Sequence, residues 1–500
     1  MKESFLHLIL FVFSLGLWAQ KGAIVSTSDF ITDIEWSMHP RYVPMDFTSA
    51  TNIVAGYNRG LHKYIDQYVN PTGFGVTLKA KTKSPSNLPG IISYKWEITG
   101  NGYELDTITR KACLFAGSAT ANDVGSDCET IRLFPSTGAY KIKITATSTN
   151  TKKVSIYEKV IHLKDYLIVA IGDSFTSGEG NPDVRGITDD EWFCDNIKFS
   201  NLVNEETGAT YDMQKDAVWL EPLAHRSFYS PSSKIAQKIE DSDPHTTVTF
   251  LNFGTSGAKI YVGLLRAQHP EWQSMGQIDE AKQTIKNRSI DALIMSIGIN
   301  DLGGGFGGIS KLIGVAADPT PPEFFRSPQL QEAYRQIELL PGMYTNLNNE
   351  IKTKLNAASV FIYEIPINIF RNSENNVTEP CGALSYIDLE DAIIIDRIGV
   401  DLNLQEQIAA VKNGWTYLGG IVNAFKGHGY CETPAKSWYR AASTSCKIQG
   451  DINGTIHPNE TGHQTIAEIS YMTIQQKLQT VYVPTKPGTI KPAAKPSLIN

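Results

Sequence analysis

Four short segments of this sequence contain residue types that hydrolytic chemistry uses. Ser174 lies in Gly-Asp-Ser-Phe-Thr-Ser-Gly-Glu-Gly at residues 172–180, and Gly257 lies in Gly-Thr-Ser-Gly-Ala at residues 254–258. Asn300 lies in Gly-Ile-Asn-Asp at residues 298–301, and His457 opens His-Pro-Asn-Glu-Thr-Gly-His. A serine can attack a carbonyl carbon, an imidazole can take its proton, and amide groups can stabilise the resulting oxyanion. The four segments together could therefore support acyl transfer.

Each segment also has an ordinary structural interpretation. Ser174 could be a helix N-cap, Gly257 part of a tight turn and Asn300 an Asx-turn. A single histidine such as His457 often lies on a protein surface. The combination is more informative than any one segment, because all four follow one another in an order that suits a single site.

The sequence from residue 165 onward predicts the scaffold that would position these residues. Near-continuous apolar runs at 166–171, 248–253, 292–297, 360–365 and 416–422 are typical of strands buried on both faces. Amphipathic stretches at 277–285, 344–355 and 402–411 separate several of them. This alternation predicts a doubly wound α/β domain, with helices on both faces of a parallel sheet. Such sheets bind ligands beyond the carboxyl ends of their strands, where Ser174, Gly257 and Asn300 fall.

A different pattern precedes that domain. Short alternating runs at 76–82, 91–99, 130–134, 139–147 and 154–163 are separated by turn-forming residues, which predicts a small antiparallel β-sandwich. Trp96 is expected in its core. Residues 21–74 are harder to interpret, because Pro40, Pro44 and Pro71 interrupt them, and they could form edge strands or a wrapping extension. We assign residues 21–164 to this domain and 165–482 to the α/β domain.

The N-terminal segment favours an exported protein. Residues 1–20 contain an apolar run at 5–18, shorter than the ~18–20 residues that span a bilayer, and we interpret them as a signal peptide. An uncleaved anchor is the alternative. With no second long apolar run, we expect no integral membrane segment in the mature chain, which would be secreted or periplasmic. Residues 483–500 carry prolines and lysines and are interpreted as a flexible tail.

The charge composition limits the classes of binding partner that we expect. The 500 residues include 45 Lys and Arg against 52 Asp and Glu, a net charge of −7. The length predicts more than one domain. A basic block that could bind a phosphate backbone is missing from the sequence, so we do not expect a nucleic acid partner.

Six cysteines favour disulfides in an exported chain. Cys113 and Cys128 are expected to pair locally. Three connectivities stay open for the other four, which are Cys194, Cys381, Cys431 and Cys446. A metal site from His428, Cys431, Cys446 and His457 is conceivable, but its spacing matches no common zinc pattern, and we predict neither a metal nor a cofactor.

The four segments resemble the four blocks of the SGNH hydrolases, also called GDSL esterases and lipases. Longer strings resemble one branch of that family, the SEST-like esterases. These strings are Ser-Gly-Glu-Gly at 177–180, His-Arg-Ser at 225–227, Ser-Gly-Ala at 256–258, residues 425–431, and the His-Pro-Asn of His457 with the Gly-His at 462–463. The resemblance covers roughly residues 165–475 and implies a flavodoxin-like sheet.

Carried over by position, the resemblance implies that Ser174 is the nucleophile and that His457 is the general base and then the acid. It also implies an oxyanion hole formed by the backbone N–H groups of Ser174 and Gly257 and the side-chain amide of Asn300. The implied reaction needs no cofactor and hydrolyses a carboxylic ester through an acyl-enzyme.

One position departs from the family pattern. The wider family has an Asp three residues before the catalytic His, and Gly454 stands there in this sequence. Asp451 lies six residues before His457 and could reach it through a loop. The SEST-like branch orients its histidine through a backbone carbonyl, so we predict a Ser-His dyad rather than a triad with Asp451. The Gly-x-Ser-x-Gly, Walker and His-Glu-x-x-His motifs do not occur, which argues against the main rival hydrolase and nucleotide-binding classes.

The expected function is therefore a secreted serine esterase or lipase. A carbohydrate (acetyl) esterase whose sandwich contacts glycan is one alternative, and an inactive SGNH-fold binding or adhesion protein is the other. We expect two insertions to choose the substrate: residues 303–308 with the segment that continues to Pro328, and residues 372–399, which include Cys381.

Overall fold

The computed structural model describes residues 23–26, 31–44, 50, 52–83, 90–100, 103–115, 129–148, 151–186, 191–195, 217–302, 328–385 and 387–481. These residues form two compact units. The first comprises the described residues up to Ser37 together with Gly75–Leu163, and the second comprises Met38–Phe74 with the described residues from Lys164 onward. The expected signal peptide, the tail at 483–500 and the insertion at 303–308 lie outside the described residues.

The strands and helices are numbered in chain order. The strands are β1 (Ala23–Ser26), β2 (Ile31–Met38), β3 (Ile53–Val54), β4 (Tyr57–Asn58), β5 (Lys63–Tyr64), β6 (Phe74–Lys83), β7 (Gly90–Gly100), β8 (Tyr103–Phe115), β9 (Glu129–Phe134), β10 (Gly138–Ser148), β11 (Val154–Gly172), β12 (Thr246–Asn252), β13 (Ala292–Ser296), β14 (Val360–Tyr363) and β15 (Thr416–Leu418). The α-helices are α1 (Asp66–Val69), α2 (Ser174–Ser177), α3 (Glu191–Asp195), α4 (Pro231–Ser242), α5 (Gln277–Ile285), α6 (Pro328–Lys354), α7 (Leu389–Asn413), α8 (Ile421–Ala424), α9 (Ala442–Gln449) and α10 (Glu460–Val481).

The first unit is made of two β-sheets, as the alternating pattern predicted. One sheet has the order β1-β11-β10-β7-β8 with antiparallel pairing, and the other has the order β2-β6-β9. Side chains of the two sheets meet: the rings of Phe134 and Tyr140 are 4.7 Å apart, and the hydroxyls of Thr82 and Tyr94 are 2.7 Å apart. Trp96 is only 1% exposed and belongs to the core. The patterning missed β8, whereas β1 and β2 lie in the segment for which edge strands were one of the two alternatives.

The second unit contains the predicted parallel sheet. Its order is β12-β11-β13-β14-β15, and β11 contributes its residues 164–172. Ile168 pairs with Phe250 on one side and with Ala292 on the other, so β11 lies inside the sheet. The chain continues from β11 to β12 on one side and then returns to β13 on the other side of β11. This reversal between β11 and β13 is the switch point where ligands bind in open α/β sheets.

Both faces of this sheet are covered, which explains the continuous apolar runs. Leu167, Val169 and Ile171 point into the core shared with α5, α6 and α7. Ile168 and Ala170 alternate with them and point into the core shared with α4 and α10. Burial on both faces removes every side chain of the strand from water, and each large aliphatic side chain contributes ~1.5–3 kcal/mol.

The helices extend beyond the predicted amphipathic stretches. The structure matches the expected helix at 277–285 as α5, but α6 and α7 run much longer than 344–355 and 402–411. α7 begins where the Asp388 carboxylate accepts the N–H of Asp391 and ends at Gly414, which has φ +74°. Residues 389–399 are therefore the start of a core helix and not part of a loop insertion.

The segment Met38–Phe74 belongs to the second unit, whereas its sequence pattern groups residues 21–74 with the sandwich. Its buried hydrophobic residues explain the difference. Tyr57, Tyr64 and Val69 are buried in the core of the second unit. The Arg41 guanidinium also lies 3.6 Å from the Asp165 carboxylate. The prolines that obscured the pattern interrupt regular strands without preventing this packing.

Two disulfides join the four cysteines whose connectivity was open. Cys194 pairs with Cys446, and Cys381 pairs with Cys431. The expected pairing of Cys113 with Cys128 falls on side chains outside the described ones. Among the described residues, no helix combines the length and the apolar character needed to cross a membrane.

Candidate active site

Ser174 lies directly beyond the carboxyl end of β11, where it begins the short helix α2. The Asp173 carboxylate accepts the N–H of Phe175 at 3.1 Å and caps this helix. Gly172 makes the turn possible: it has φ +143°, and a Cβ at this position would lie 2.1 Å from the carbonyl oxygen of Ser296. The strand end therefore sets the position of the serine.

His457 lies against this serine. Its Nε2 is 2.8 Å from Ser174 Oγ, although the two residues are 283 positions apart in the sequence. The backbone of His457 is held on both sides, since its N–H donates to the carbonyl of Gly454 at 3.0 Å and its carbonyl accepts the N–H of Arg440 at 2.8 Å. The preceding Ile456 has φ +62°, a conformation that β-branched residues rarely adopt. Backbone strain of this kind often accompanies a functional site.

A backbone carbonyl faces the other ring nitrogen of His457. Nδ1 lies 3.3 Å from the carbonyl oxygen of Thr455. The Asp451 carboxylate has other partners: it accepts from the Gln449 side chain at 2.5 Å and from the N–H of Asn453 at 2.7 Å. The structure thus brings Ser174 and His457 together and leaves Asp451 away from the Nδ1 contact.

The surroundings of His457 keep its imidazole in the basic form. Burial lowers the pKa of His457 below its usual value, and the negative charge of Glu179 opposes that effect. A lowered pKa leaves the ring neutral at neutral pH. A neutral Nε2 can accept a proton from the serine, which a protonated ring cannot do.

Gly257 and Asn300 line the same cavity as Ser174 and His457, and its volume is about 330 Å³. Gly257 follows β12 and has φ +79°, where a larger residue would be strained. Asn300 follows β13, and one N–H of its amide donates to the carbonyl of Ala258 at 3.1 Å. An amide nitrogen carries a second N–H, which suits an oxyanion. All four predicted residues therefore meet in one cavity.

Asp301, for which the sequence indicated no role, joins the segments that contain Gly257 and Asn300. Its carboxylate accepts the N–H of Ile260 at 3.1 Å, so the segment after β13 is tied to the segment that contains Gly257. Burial raises the pKa of Asp301 to about 7. This contact and the Asn300 hydrogen bond keep the two predicted oxyanion-hole segments in register.

A contact between a buried carboxylate and an imidazole at the site was not predicted from the sequence. Glu179 is 0% exposed, and one of its carboxylate oxygens lies 2.8 Å from Nδ1 of His225, whose ring stacks on Trp219 with centroids 4.6 Å apart. Burial alone would raise the pKa of Glu179, but the charge and hydrogen bond of His225 offset it and leave the pKa lowered. His225 also lines the cavity. The strings at 177–180 and 225–227 contained both residues but no sign that they touch.

A second unexpected feature connects the segment after Ser174 to the segment around His457. The buried Arg440 donates to the carbonyl of Gly180 at 2.9 Å and to the side chain of Asn181 at 2.6 Å. The Asn181 amide in turn donates to the carbonyl of Pro458 at 2.8 Å. These hydrogen bonds join the segment that follows Ser174 to the segment that contains His457.

Other residues that the sequence singled out have structural roles. His463 is fully buried and faces the carbonyl of Tyr229 at 2.9 Å, and burial lowers its pKa to about 3. Arg226 is also buried and donates to the carbonyl of Gly254 at 2.7 Å. The conceivable metal set loses its thiolates, since Cys431 and Cys446 are both in disulfides.

Comparison with known proteins gives distant structural similarity. No family model and no curated protein matches the sequence. The extracellular lipase from Streptomyces rimosus is 16% identical with a TM-score of 0.39, covering 63% of this chain and 99% of its own. The phospholipase A1 from Streptomyces albidoflavus is 18% identical with a TM-score of 0.38, covering 62% and 98%. A family two carbohydrate esterase from Clostridium thermocellum is 11% identical with a TM-score of 0.27, covering 89% and 99%.

Proposed function

We propose that this chain is a serine hydrolase of carboxylic esters, of the SGNH type and its SEST-like branch. Ser174 is the nucleophile and His457 the general base of a Ser-His dyad. The observation that carries the proposal is the 2.8 Å distance between Ser174 Oγ and His457 Nε2, inside a cavity that Gly257 and Asn300 also line. This distance lies within the range that proton transfer requires.

The reaction begins when His457 Nε2 takes the proton of Ser174 and Oγ bonds to the ester carbonyl carbon. The carbonyl oxygen becomes an anion, which the backbone N–H groups of Ser174 and Gly257 and the amide of Asn300 stabilise. The Nδ1–H of His457 donates a hydrogen bond to the Thr455 carbonyl at 3.3 Å, which keeps Nε2 directed at the serine. The carbon–oxygen bond to the alcohol then breaks, and His457 returns its proton to the leaving alcohol.

Water completes the cycle. His457 takes a proton from a water molecule, whose oxygen attacks the acyl-enzyme carbonyl and forms a second tetrahedral anion in the same oxyanion hole. The bond to Ser174 Oγ breaks, Oγ regains its proton from His457, and the free acid leaves. The proton of Ser174 leaves on the alcohol and a proton from water replaces it on Oγ, so the cycle needs only these side chains, the backbone donors and water.

A carbohydrate esterase is the second candidate, because part of the cavity wall is polar. His225, Gln268, His269 and Asn453 all lie on it. Such side chains could bind the hydroxyl groups of a sugar alcohol, and contact between the first unit and glycan is part of this candidate. The chemistry at Ser174 is the same, and only the alcohol differs. The two disulfides support export to an oxidising compartment in either case.

A fluorophosphonate probe tests the proposed function. The probe is incubated with the mature protein, and the modified peptide is identified by mass spectrometry. We expect an adduct on Ser174 that is lost in Ser174→Ala. The matched control is Ser177→Ala, because Ser177 belongs to the same helix and its hydroxyl donates to the Ser174 carbonyl at 2.9 Å. That variant should still be labelled.

The outcome against the proposal is a folded protein without an adduct on Ser174. It would favour the inactive binding or adhesion protein over both esterase candidates. If Ser174 is labelled, hydrolysis of aryl esters and of acetylated xylan separates the simple esterase from the carbohydrate esterase.

A further inference from the structure

A second cavity, narrow and apolar, adjoins the one that contains Ser174 and His457. The two cavities share four wall residues, which are Ile299, Ile365, Pro366 and Ile369. Beyond these the narrow cavity, hereafter the slot, is lined by Leu302, Ile367, Phe370, Ile395, Asp396, Ile398, Gly399 and Leu402. The slot therefore starts at the wall of the reaction cavity and continues between the segment after β14 and helix α7.

The walls of the slot offer a ligand little to hydrogen-bond. Among the described wall residues, Asp396 alone has a charged side chain, and the Arg371 guanidinium holds both of its carboxylate oxygens at 2.6 and 2.7 Å. A fork-to-fork pair of this kind occupies the carboxylate with a fixed partner. The remaining walls are aliphatic apart from Phe370, so the slot suits a hydrocarbon group.

The small volume of the slot limits the kind of ligand group that can enter it. Its free volume is about 30 Å³, compared with about 330 Å³ for the reaction cavity. A cavity of this volume has no room for a sugar ring or an aromatic ring. An unbranched alkyl chain could enter it in single file.

The slot begins beside one of the proposed oxyanion donors. Ile299, which both cavities share, directly precedes Asn300. An ester whose carbonyl oxygen lies near Asn300 therefore has the slot within reach of its acyl chain. The polar residues Gln268, His269 and Asn453 line the reaction cavity and not the slot, and they suit the alcohol instead.

We propose that the slot binds the acyl chain of the substrate, so that the enzyme prefers esters of unbranched acyl groups longer than acetyl. This inference rests on the proposed ester hydrolysis at Ser174. It makes Ile395 and its neighbours on α7 the residues that determine acyl-chain specificity. Each methylene group of the acyl chain that moves from water into the slot should raise kcat/KM about fourfold, until the acyl chain fills the slot.

The test is a chain-length series with two opposite substitutions at Ile395, which is 5% exposed. The substrates are the p-nitrophenyl acetate, butanoate, hexanoate and octanoate esters, all used below their critical micelle concentrations. Ile395→Phe should fill the slot and lower the butanoate-to-acetate ratio of kcat/KM by about tenfold or more. Ile395→Ala should lengthen the slot and move the optimum to a longer ester.

Ile393 provides the matched control, since it lies on the same helix and is 42% exposed. Ile393→Phe and Ile393→Ala should leave the chain-length profile of the unmodified enzyme. Should Ile395→Phe fail to fold, Ile395→Ala carries the test by itself. Thermal unfolding of each variant identifies that case.

Two results would overturn the inference. One is an unmodified enzyme whose kcat/KM does not rise from acetate to butanoate. The other is a set of folded Ile395 variants that change all four esters by the same factor. Fluorophosphonate labelling separates these results from a failure of the proposed function: a labelled Ser174 with a flat profile removes the slot alone, and an unlabelled Ser174 removes the esterase itself.

Discussion

A carboxylate oxygen of Glu179 lies 2.8 Å from Nδ1 of His225 in the interior of the second unit. The same carboxylate accepts from the side chain of Gln449 at 2.8 Å, and the backbone N–H of Glu179 donates to the Ser174 carbonyl at 3.0 Å. Glu179 thus connects the segment that begins with Ser174 to the cavity wall and to the segment before His457. It supplies a fixed negative charge that acts on His457 through space.

Replacing this charge should change the pH dependence of catalysis. In Glu179→Gln the loss of the negative charge makes protonation of His457 less favourable, so the pKa of His457 falls further. Activity requires the neutral ring, and we therefore expect the acidic limb of the kcat/KM profile to move to lower pH. The measurement is kcat/KM for one soluble ester from about pH 4 to about pH 9.

Asp165→Asn is the matched control for that experiment. Asp165 is also a buried carboxylate, but it pairs with Arg288 at 2.6 Å, and β11 separates it from Ser174 by nine residues, or ~30 Å. This variant should lose stability without moving the acidic limb. A limb that stays in place in folded Glu179→Gln, or moves to higher pH, would contradict the proposed influence of Glu179.

The position of Asp451 predicts that it is dispensable for the chemistry. His457→Ala should lower kcat by roughly 10³-fold or more, because the general base is lost. Asp451→Ala should lower it less than about tenfold, since the carboxylate faces Gln449 and Asn453 and not Nδ1 of His457. Steady-state kinetics of both variants decides the matter. Equal losses would show a triad in place of the dyad.

Asn300 is expected to act on the transition state more than on the bound substrate. Asn300→Ala should lower kcat about 10²–10³-fold with little change in KM, the usual result of removing one oxyanion donor. Asn453→Ala is the control, because it removes an amide from the same cavity wall. That variant should alter KM more than kcat, and a large loss of kcat there would question the assignment of Asn300.

The two disulfides should differ in their effect on activity. Removing either bond by paired Cys→Ser substitution should lower the free energy of unfolding by about 2–4 kcal/mol. Loss of Cys194–Cys446 should also reduce kcat/KM by roughly tenfold, because α9 carries Ser445, whose hydroxyl donates to the Asp451 carbonyl at 2.8 Å and supports the segment before His457.

Loss of Cys381–Cys431 should leave kcat/KM within about threefold of the value for the unmodified enzyme. It should lower the free energy of unfolding by about as much as loss of the other disulfide. Thermal unfolding and ester hydrolysis of the two paired variants supply the comparison. Equal losses of activity in both would mean that general loosening, and not the α9 support, limits the reaction.

Several features of this protein followed from its sequence because each depends on residues close together in the chain. The continuous apolar run before Gly172 is what a strand buried on both faces requires. The Gly-Asp-Ser that follows this run in the sequence must therefore lie at the end of that strand. The same reasoning applies to the runs that end before Gly257 and Asn300. Strand ends in a parallel sheet share one edge, so the meeting of these residues could be predicted without coordinates.

Tertiary packing decided the contacts between segments that are distant in the chain. The 2.8 Å contact of Glu179 with His225, the pairing of Cys194 with Cys446, and the attachment of Met38–Phe74 to the second unit depend on how loops close over the sheet. Local patterns carry no information about loop closure, because many arrangements bury similar apolar area. The sequence by itself therefore determined the sheet and the residues that meet at its edge, whereas only the folded chain decided which charges, cysteines and apolar walls surround them.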